Sequence, residues 1–126
     1  MKKILLLEDD DGLRFTLTAA LERIGHRHVI GVKSCDEAIK VLRRQKPDLV
    51  VLDLVIGAES SIDVANYAQY AAPDADVIYI TGSRLFPLGE LHTMAQNVRW
   101  VLRKPVDLRD LDNIVDHLLE KIPQVA

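Results

Sequence analysis

The chain has 126 residues and a formal net charge of −3, and 48% of its residues are hydrophobic. This length and composition predict a single domain, residues 1–126, with a real core rather than a disordered segment. The charge offers no basic footprint for nucleic acid, no apolar run is long enough to span a membrane, and the apolar start is too short for a signal peptide. A single cysteine allows no disulfide within the chain and favours a reduced, intracellular setting. Together these features lead us to expect a cytoplasmic protein without direct nucleic acid or membrane binding.

Five short apolar runs have the length and the Val, Ile and Leu content of buried strands. They cover residues 4–7, 28–32, 48–53, 77–80 and 100–102. The third run is the clearest, because it has no polar break before Asp53 at its end. A charge inside a sheet that is buried on both faces would be costly. At the carboxyl end of a strand it instead reaches the crevice where ligands bind in open α/β sheets.

Apolar residues at helical spacing follow each run and predict helices. The predicted helices cover residues 13–24, 38–42, 62–72, 85–97 and 111–119. Asp10 or Asp11, Ser34 and Asp107 are predicted to cap the first, second and last of them. The helix within 85–97 is the least clear, because it contains both proline and glycine near its start. Residues 55–61 have no clear period and predict a loop.

Strand and helix alternate five times, which predicts an α/β fold with a five-stranded parallel sheet and helices on both faces. Because the crossover connections of such sheets are right-handed, the carboxyl ends of all strands should share one edge. The polar residues at that edge would be Glu8, Asp9, Asp53, Thr81 and Lys104.

Three carboxylates brought close together repel one another, and Lys104 supplies one positive charge. The remaining deficit predicts a divalent metal, and oxygen ligands favour Mg²⁺ or Mn²⁺ over zinc. A metal and an ammonium can neutralise phosphoryl oxygens, and Thr81 can donate a hydrogen bond to one of them. A carboxylate can attack phosphorus to give an acyl phosphate, with Asp53 as the nucleophile. Glu8 and Asp9 would then hold the metal directly or through water.

Acids after the first strand, Asp53 after the third, Thr81 after the fourth and Lys104-Pro105 after the fifth resemble the receiver domain of two-component response regulators. The resemblance covers essentially the whole chain and implies a flavodoxin-like (βα)5 fold with strand order 2-1-3-4-5. It implies that Asp53 is a phosphoacceptor that takes a phosphoryl group from a sensor histidine kinase or a phosphotransfer protein. It also implies that Thr81 and Lys104 bind the phosphoryl oxygens.

The same resemblance assigns the metal ligands. Glu8 and Asp9 take the metal-site positions together with the acceptor aspartate, and the backbone carbonyl of Val55 completes the coordination of Mg²⁺. The peptide bond between Lys104 and Pro105 is expected to be cis, as in the family.

Three segments depart from the family pattern. Gly57 and Ser61 stand where members usually carry a proline and a glycine, so the turn after the acceptor is expected to differ. Val101 occupies the position of the usual switch aromatic, and by strand alternation Trp100 should face the opposite side. The unclear helix within 85–97 is the third departure, and these changes indicate altered signal transmission around intact chemistry.

Three functions are compatible with these residues. The first is a non-enzymatic receiver in which phosphorylation switches a protein-interaction surface toward an unidentified output partner; a homodimer also fits the resemblance. The second is a pseudo-receiver that acts as a constitutive protein-binding module with atypical or no switching. The third is a small phosphatase or phosphotransferase, disfavoured because Val55 stands where a second general acid would follow the acceptor. Since apolar Val55 cannot orient an attacking water, phospho-Asp53 is expected to be long-lived.

Overall fold

The computed structural model describes residues 1–23, 25–82 and 97–120. Its strands are β1 (Lys2–Leu7), β2 (Arg27–Val32), β3 (Leu49–Asp53), β4 (Val55–Ile56), β5 (Glu59–Ser60), β6 (Asp76–Thr81) and β7 (Val98–Arg103). The main sheet is five-stranded and parallel, in the order β2-β1-β3-β6-β7. Counted within that sheet alone, this is the order 2-1-3-4-5, so the fold class and the strand order are confirmed.

The described helices begin close to the positions that the sequence predicts. They are α1 (Asp11–Glu22), α2 (Cys35–Arg44), α3 (Ile62–Ala71) and α4 (Leu108–Leu119). The side chains of Asp10, Ser34 and Asp107 accept hydrogen bonds from first-turn amides of α1, α2 and α4, so each satisfies donors that the helix itself leaves free. The helix predicted within 85–97 lies outside the described residues apart from Asn97. None of the described helices has the length and hydrophobicity of a membrane-spanning segment.

Two apolar cores cover the two faces of the sheet, which explains why the inner strands β3 and β6 are buried along their whole length. The core beneath α2 and α3 includes Leu5, Leu7, Ala38, Leu42, Val50, Leu52, Val64, Ala65, Ala68 and Tyr79. The core beneath α1 and α4 includes Ile4, Leu6, Leu17, Leu21, Leu49, Val51, Ile78, Ile80, Leu111 and Val115. Successive residues of each strand alternate between the cores, so strand register fixes which side chains face each pair of helices.

A short antiparallel ribbon of β4 and β5 follows the central strand β3. The loop prediction for 55–61 is wrong in this respect, because two-residue strands are too short to leave a period in the sequence. Gly57 lies in the turn of the ribbon with φ of 60°, a left-handed conformation that glycine adopts without steric cost. The turn after the acceptor therefore differs from one with proline at this position, since proline fixes φ near −65°.

The edge strand β7 places Trp100 and Val101 in different environments. Val101 is half-buried and packs against the core beneath α2 and α3. Trp100 is 44% exposed and belongs to neither core. Trp100 therefore does not take the inward position of Val101, as strand alternation predicts.

Candidate functional site

The parallel topology brings several polar residues to one edge of the sheet. β1 and β6 lie on either side of β3, and the register pairs Leu7 with Leu52 and Asp53 with Ile80. Glu8 directly follows β1, and Thr81 ends β6 beside the end of β3. The carboxyl ends of these three strands therefore surround the acceptor position, as expected for an open parallel sheet.

The carboxylates of Glu8, Asp9 and Asp53 form a compact cluster. One oxygen from each lies within 4.8 Å of the others. Glu8 and Asp53 are buried, with 1% and 6% of their surface exposed, whereas Asp9 is exposed. Mutual repulsion at this separation is strong unless a cation lies between the groups.

Lys104 brings a positive charge into the cluster. Its Nζ lies 2.8 Å from Oδ2 of Asp53 and 3.0 Å from Oε1 of Glu8. Burial alone would lower the pKa of this ammonium, but its contacts with the two carboxylates outweigh burial and raise the pKa. Lys104 is thus held in its charged form between the two buried acids.

Burial is the main reason that the pKa of Glu8 is raised from 4.5 to about 7. The charge of Asp53 and a side-chain contact with Asp9 raise it further. The amide of Asp10, which donates to Oε2 of Glu8 over 3.1 Å, and the ammonium of Lys104 act in the opposite direction. The local positive charge therefore does not compensate the desolvation of this carboxylate.

Asp9 behaves in the opposite way to its neighbour. Slight burial would raise its pKa, but the amide of Gly57 donates a hydrogen bond to Oδ2 over 3.0 Å. Together with Glu8 and Lys104, this bond lowers the pKa of Asp9. The β4–β5 ribbon thus contributes directly to the electrostatics of the carboxylate cluster.

The donor set fits an oxygen-preferring divalent cation. Three carboxylates face one ammonium, which leaves an excess of negative charge. Although Oε1 of Glu8 lies close to Lys104, it makes no well-directed hydrogen bond in the described parts of the chain. A buried carboxylate oxygen without such a bond, beside two further carboxylates, suits Mg²⁺ or Mn²⁺ better than the softer zinc.

The two remaining predicted site residues lie next to the cluster. The amide of Val55 donates to Oδ1 of Asp53 over 3.2 Å, and the Val55 side chain is 43% exposed. Thr81 is buried, and its carbonyl accepts a hydrogen bond from the amide of Lys104 over 2.9 Å. The bond between Lys104 and Pro105 is cis, as the resemblance implied.

Three residues that the sequence did not indicate as site residues also contact this region. Arg14 donates from Nη1 to the carbonyl of Glu8 over 2.9 Å. Gly57 bonds Asp9, and Ser61 donates from Oγ to the carbonyls of Asp53 and Leu54. The only signal in the sequence was that Gly57 and Ser61 depart from the family pattern.

Comparisons with known proteins agree with this geometry. Residues 4–116 match the profile of the response regulator receiver domain. The chain is 34% identical over 119 residues to the response regulator receiver protein CpdR of Brucella abortus, covering 94% of this chain and 98% of that protein. It is 33% identical to the transcriptional regulatory protein GlrR of Escherichia coli K12 over 94% of this chain but only 26% of that protein.

Solved structures show the same fold. A CheY-like receiver domain protein from Methanospirillum hungatei superposes with a TM-score of 0.85 at 21% identity, covering 95% of this chain and 94% of that one. The response regulator TrrA of Thermotoga maritima, solved in complex with Mg(2+)-BeF, superposes with a TM-score of 0.80 at 24% identity. The match covers 94% of this chain and 99% of that one. The profile match and the CpdR relationship show that the chain belongs to the family of response regulator receiver domains.

Proposed function

We propose that the chain is a single phosphoacceptor receiver domain, in which Asp53 takes a phosphoryl group from a phosphohistidine of a sensor histidine kinase or a phosphotransfer protein. The observation that supports this most directly is the 2.8 Å ion pair between Lys104 Nζ and Asp53 Oδ2 within the carboxylate cluster. An ammonium that touches the acceptor oxygen is also within reach of the oxygens of a phosphoryl group arriving there.

The proposed reaction is a phosphoryl transfer with Asp53 as nucleophile. A carboxylate oxygen of Asp53 attacks phosphorus, a P–O bond forms, and the P–N bond to the donor imidazole breaks. The electron pair of that bond stays with the imidazole, which leaves. Lys104 neutralises the phosphoryl oxygens, and the hydroxyl of Thr81 donates a hydrogen bond to one of them.

We propose Mg²⁺, or Mn²⁺ in its place, as the metal, held by Glu8, Asp9, Asp53 and the backbone carbonyl of Val55. When bound, it supplies charge neutralisation at the reacting phosphoryl group. The oxygen-only donor set with its excess negative charge supports this proposal. The TrrA structure, solved in complex with Mg(2+)-BeF, supports it by analogy of fold.

A small phosphodonor tests the acceptor without knowledge of the kinase. We expect acetyl phosphate to label the protein when Mg²⁺ is present, with acetate as the leaving group, and intact-mass spectrometry would detect the added phosphoryl group. Chelation of the metal should abolish the label, and so should Asp53→Asn. Asp74→Asn is the matched control, because this exposed aspartate lies in the turn before β6, away from the cluster.

Labelling of the wild-type protein decides whether the phosphoacceptor proposal holds. If the wild-type protein stays unlabelled with metal and donor in excess, the phosphoacceptor proposal is wrong. Equal labelling of wild type and Asp53→Asn would show that another residue accepts the group.

We further propose that phosphorylation of Asp53 biases a protein-interaction surface in a cytoplasmic signalling pathway, with an output partner that is a protein rather than nucleic acid. The charge added at Asp53 would draw Thr81 and Lys104 toward the phosphoryl oxygens and favour one of two surface conformations. Regulatory relatives such as CpdR and GlrR support a signalling role.

One observation favours a second candidate function, a pseudo-receiver that binds partners constitutively. The half-buried position on β7, beside β6, is filled by Val101 instead of an aromatic residue, while Trp100 stays exposed on the same edge strand. Size-exclusion chromatography and hydrogen exchange with and without Mg²⁺ and beryllofluoride separate the two candidates. A switching receiver changes its elution or its exchange pattern beyond the site, whereas a pseudo-receiver changes exchange only at the site.

A further inference from the structure

Ser61 is buried and hydrogen-bonds the backbone that carries the acceptor. None of its surface is exposed, and its Oγ donates to the carbonyl oxygens of Asp53 at 2.5 Å and of Leu54 at 3.3 Å. Its own amide donates to the carbonyl of Leu54 over 2.9 Å. The side chain makes no capping bond to α3, although it stands at the N-cap of that helix. The hydroxyl therefore hydrogen-bonds the end of β3 rather than capping the helix.

These bonds act on the segment that carries two of the proposed metal ligands. Asp53 supplies a carboxylate and Val55 a backbone carbonyl, and Leu54 joins them. The amide of Leu54 donates to the carbonyl of Ile80 over 3.0 Å, and the amide of Val55 donates to Oδ1 of Asp53 over 3.2 Å. Ser61 hydrogen-bonds the carbonyls of Asp53 and Leu54. The peptide groups from Asp53 to Val55 are therefore restrained through their carbonyls as well as through their amides.

We propose that Ser61 is a positioning residue that fixes the Asp53–Val55 backbone and thereby sets the affinity of the site for Mg²⁺. This inference rests on the proposed function, because it assigns Ser61 to the metal site of that function. The reason is geometric: rotation of these peptide planes would move the Asp53 carboxylate relative to Glu8 and Asp9 and redirect the Val55 carbonyl. Groups that orient metal ligands without touching the metal control its affinity in this way.

Removal of the hydroxyl should weaken metal binding more than it slows chemistry. Ser61→Ala and Ser61→Gly both lose the donor, and we expect each to raise the Mg²⁺ dissociation constant roughly tenfold, measured by calorimetry without any phosphodonor. The Mg²⁺ concentration for half-maximal labelling by acetyl phosphate should rise by the same factor. The labelling rate at saturating Mg²⁺ should change much less, because the nucleophile and Lys104 remain.

Ser60→Ala is the matched control, since it makes the same chemical change one residue earlier. Ser60 is exposed, and its Oγ accepts a hydrogen bond from the amide of Ile62. Ser60 pairs with Val55 in the β4–β5 ribbon, but strand pairing uses backbone groups that Ser60→Ala retains. We expect its Mg²⁺ affinity to equal that of the wild type. Circular dichroism of each variant establishes the folded fraction, and the glycine variant decides the question if the alanine variant does not fold.

A merely structural role predicts a different result. Loss of stability would lower the melting temperature and the labelled fraction but leave the Mg²⁺ dissociation constant of the folded molecules unchanged. That result overturns the role of Ser61, while wild-type labelling leaves the proposed function intact. If the wild type itself neither binds Mg²⁺ nor accepts a phosphoryl group, the proposed function is wrong and the role of Ser61 is rejected with it.

Discussion

The amide of Gly57 donates a hydrogen bond to Oδ2 of Asp9 over 3.0 Å, and so connects the β4–β5 ribbon to the acids that follow β1. A glycine makes this contact possible for two reasons: it has an amide hydrogen, which proline lacks, and it adopts φ of 60°. The departure from the family pattern at this position thus replaces a rigid turn residue with a hydrogen-bond donor to a carboxylate of the candidate site.

Substitutions at Gly57 should separate the effect of φ from that of the amide. Gly57→Ala keeps the donor and is expected to lower the free energy of unfolding by about 1–2 kcal/mol, the cost of a left-handed conformation for a residue with a Cβ. Gly57→Pro loses both the conformation and the donor, so we expect a larger loss, about 3 kcal/mol. Urea unfolding measures both values.

The pKa of Asp9 provides an independent readout of the same pair. In Gly57→Pro it should return toward the ordinary range of aspartate, because the bond that lowers it is lost. In Gly57→Ala it should stay low. An NMR titration that finds the same pKa in both variants would contradict the role assigned to the Gly57 amide.

The pH dependence of stability should reflect Glu8. Its pKa is raised to about 7 in the folded protein, compared with 4.5 in the unfolded chain. Between these values the folded state binds a proton that the unfolded state has released, so without metal the free energy of unfolding contains a contribution that falls as pH rises from 4.5 to about 7. Urea unfolding in chelator between about pH 5 and 8 measures this slope.

Glu8→Gln is the control for that slope. Glutamine keeps the shape of the side chain but does not titrate, so the contribution attributed to Glu8 should disappear and the variant should be more stable than the wild type near pH 8 in chelator. A wild type and a variant with parallel pH profiles would show that burial does not raise the pKa of Glu8 in this way. Added Mg²⁺ should make the wild type the more stable of the two proteins at high pH, because residue 8 offers the metal a charged ligand only when it is glutamate.

Sequence patterns predicted the main sheet because its physical causes are local. A strand covered by helices on both faces needs an apolar residue at nearly every position, and residues 49–52 are all leucine or valine. The site followed from the same argument, since parallel strands bring Glu8, Asp53 and Lys104 to one edge without any motif that links them. The alternation of five strands with helices therefore predicted both the sheet and the clustering of these three residues.

The features that were missed depend on contacts between residues whose sequence neighbours carry no signal. The β4–β5 ribbon has two residues per strand, too few for a period. The hydroxyl of Ser61 contacts the carbonyl of Asp53, eight residues earlier in the chain and on the other side of the β4–β5 ribbon in sequence, and no periodic pattern indicates such a contact. Trp100 stays 44% exposed on the edge strand β7, although an aromatic residue in a strand usually packs against its neighbours.

Arg27 provides a test of stability away from the site. Its side chain is 3% exposed, with Nη1 2.6 Å from Oδ1 of Asp112 and Nη2 3.4 Å from Oδ1 of Asp116, so it joins the start of β2 to α4. Arg27→Ala removes a buried guanidinium and leaves the two aspartates without this partner. We expect a loss of about 2–4 kcal/mol in the free energy of unfolding, below the upper range for buried pairs because the aspartates are partly exposed.

The control for this prediction is Arg23→Ala, which truncates an exposed arginine at the end of α1. Its effect should stay within about 0.5 kcal/mol of zero. Chemical denaturation of both variants gives the comparison. Equal losses in the two variants would show that the Arg27–Asp112 pair contributes nothing beyond the effect of truncating an arginine.

The lifetime of phospho-Asp53 should depend on Val55, provided that Asp53 is phosphorylated as proposed. Val55 is two residues after the acceptor, its amide is bonded to Oδ1 of Asp53, and its side chain is 43% exposed, so a side chain here lies at the solvent side of the acyl phosphate. An apolar side chain cannot orient an attacking water by hydrogen bonding. Val55→Asn adds an amide that can, and we expect roughly a tenfold faster loss of the label, less than the ~10²–10⁴-fold contribution of a positioned acid or base, because an amide orients the water without taking its proton. After rapid removal of acetyl phosphate, mass spectrometry follows the remaining label, and Val55→Ala, which stays apolar, should keep the wild-type lifetime. A label lost equally fast from all three proteins would show that water reaches phospho-Asp53 without help from this position.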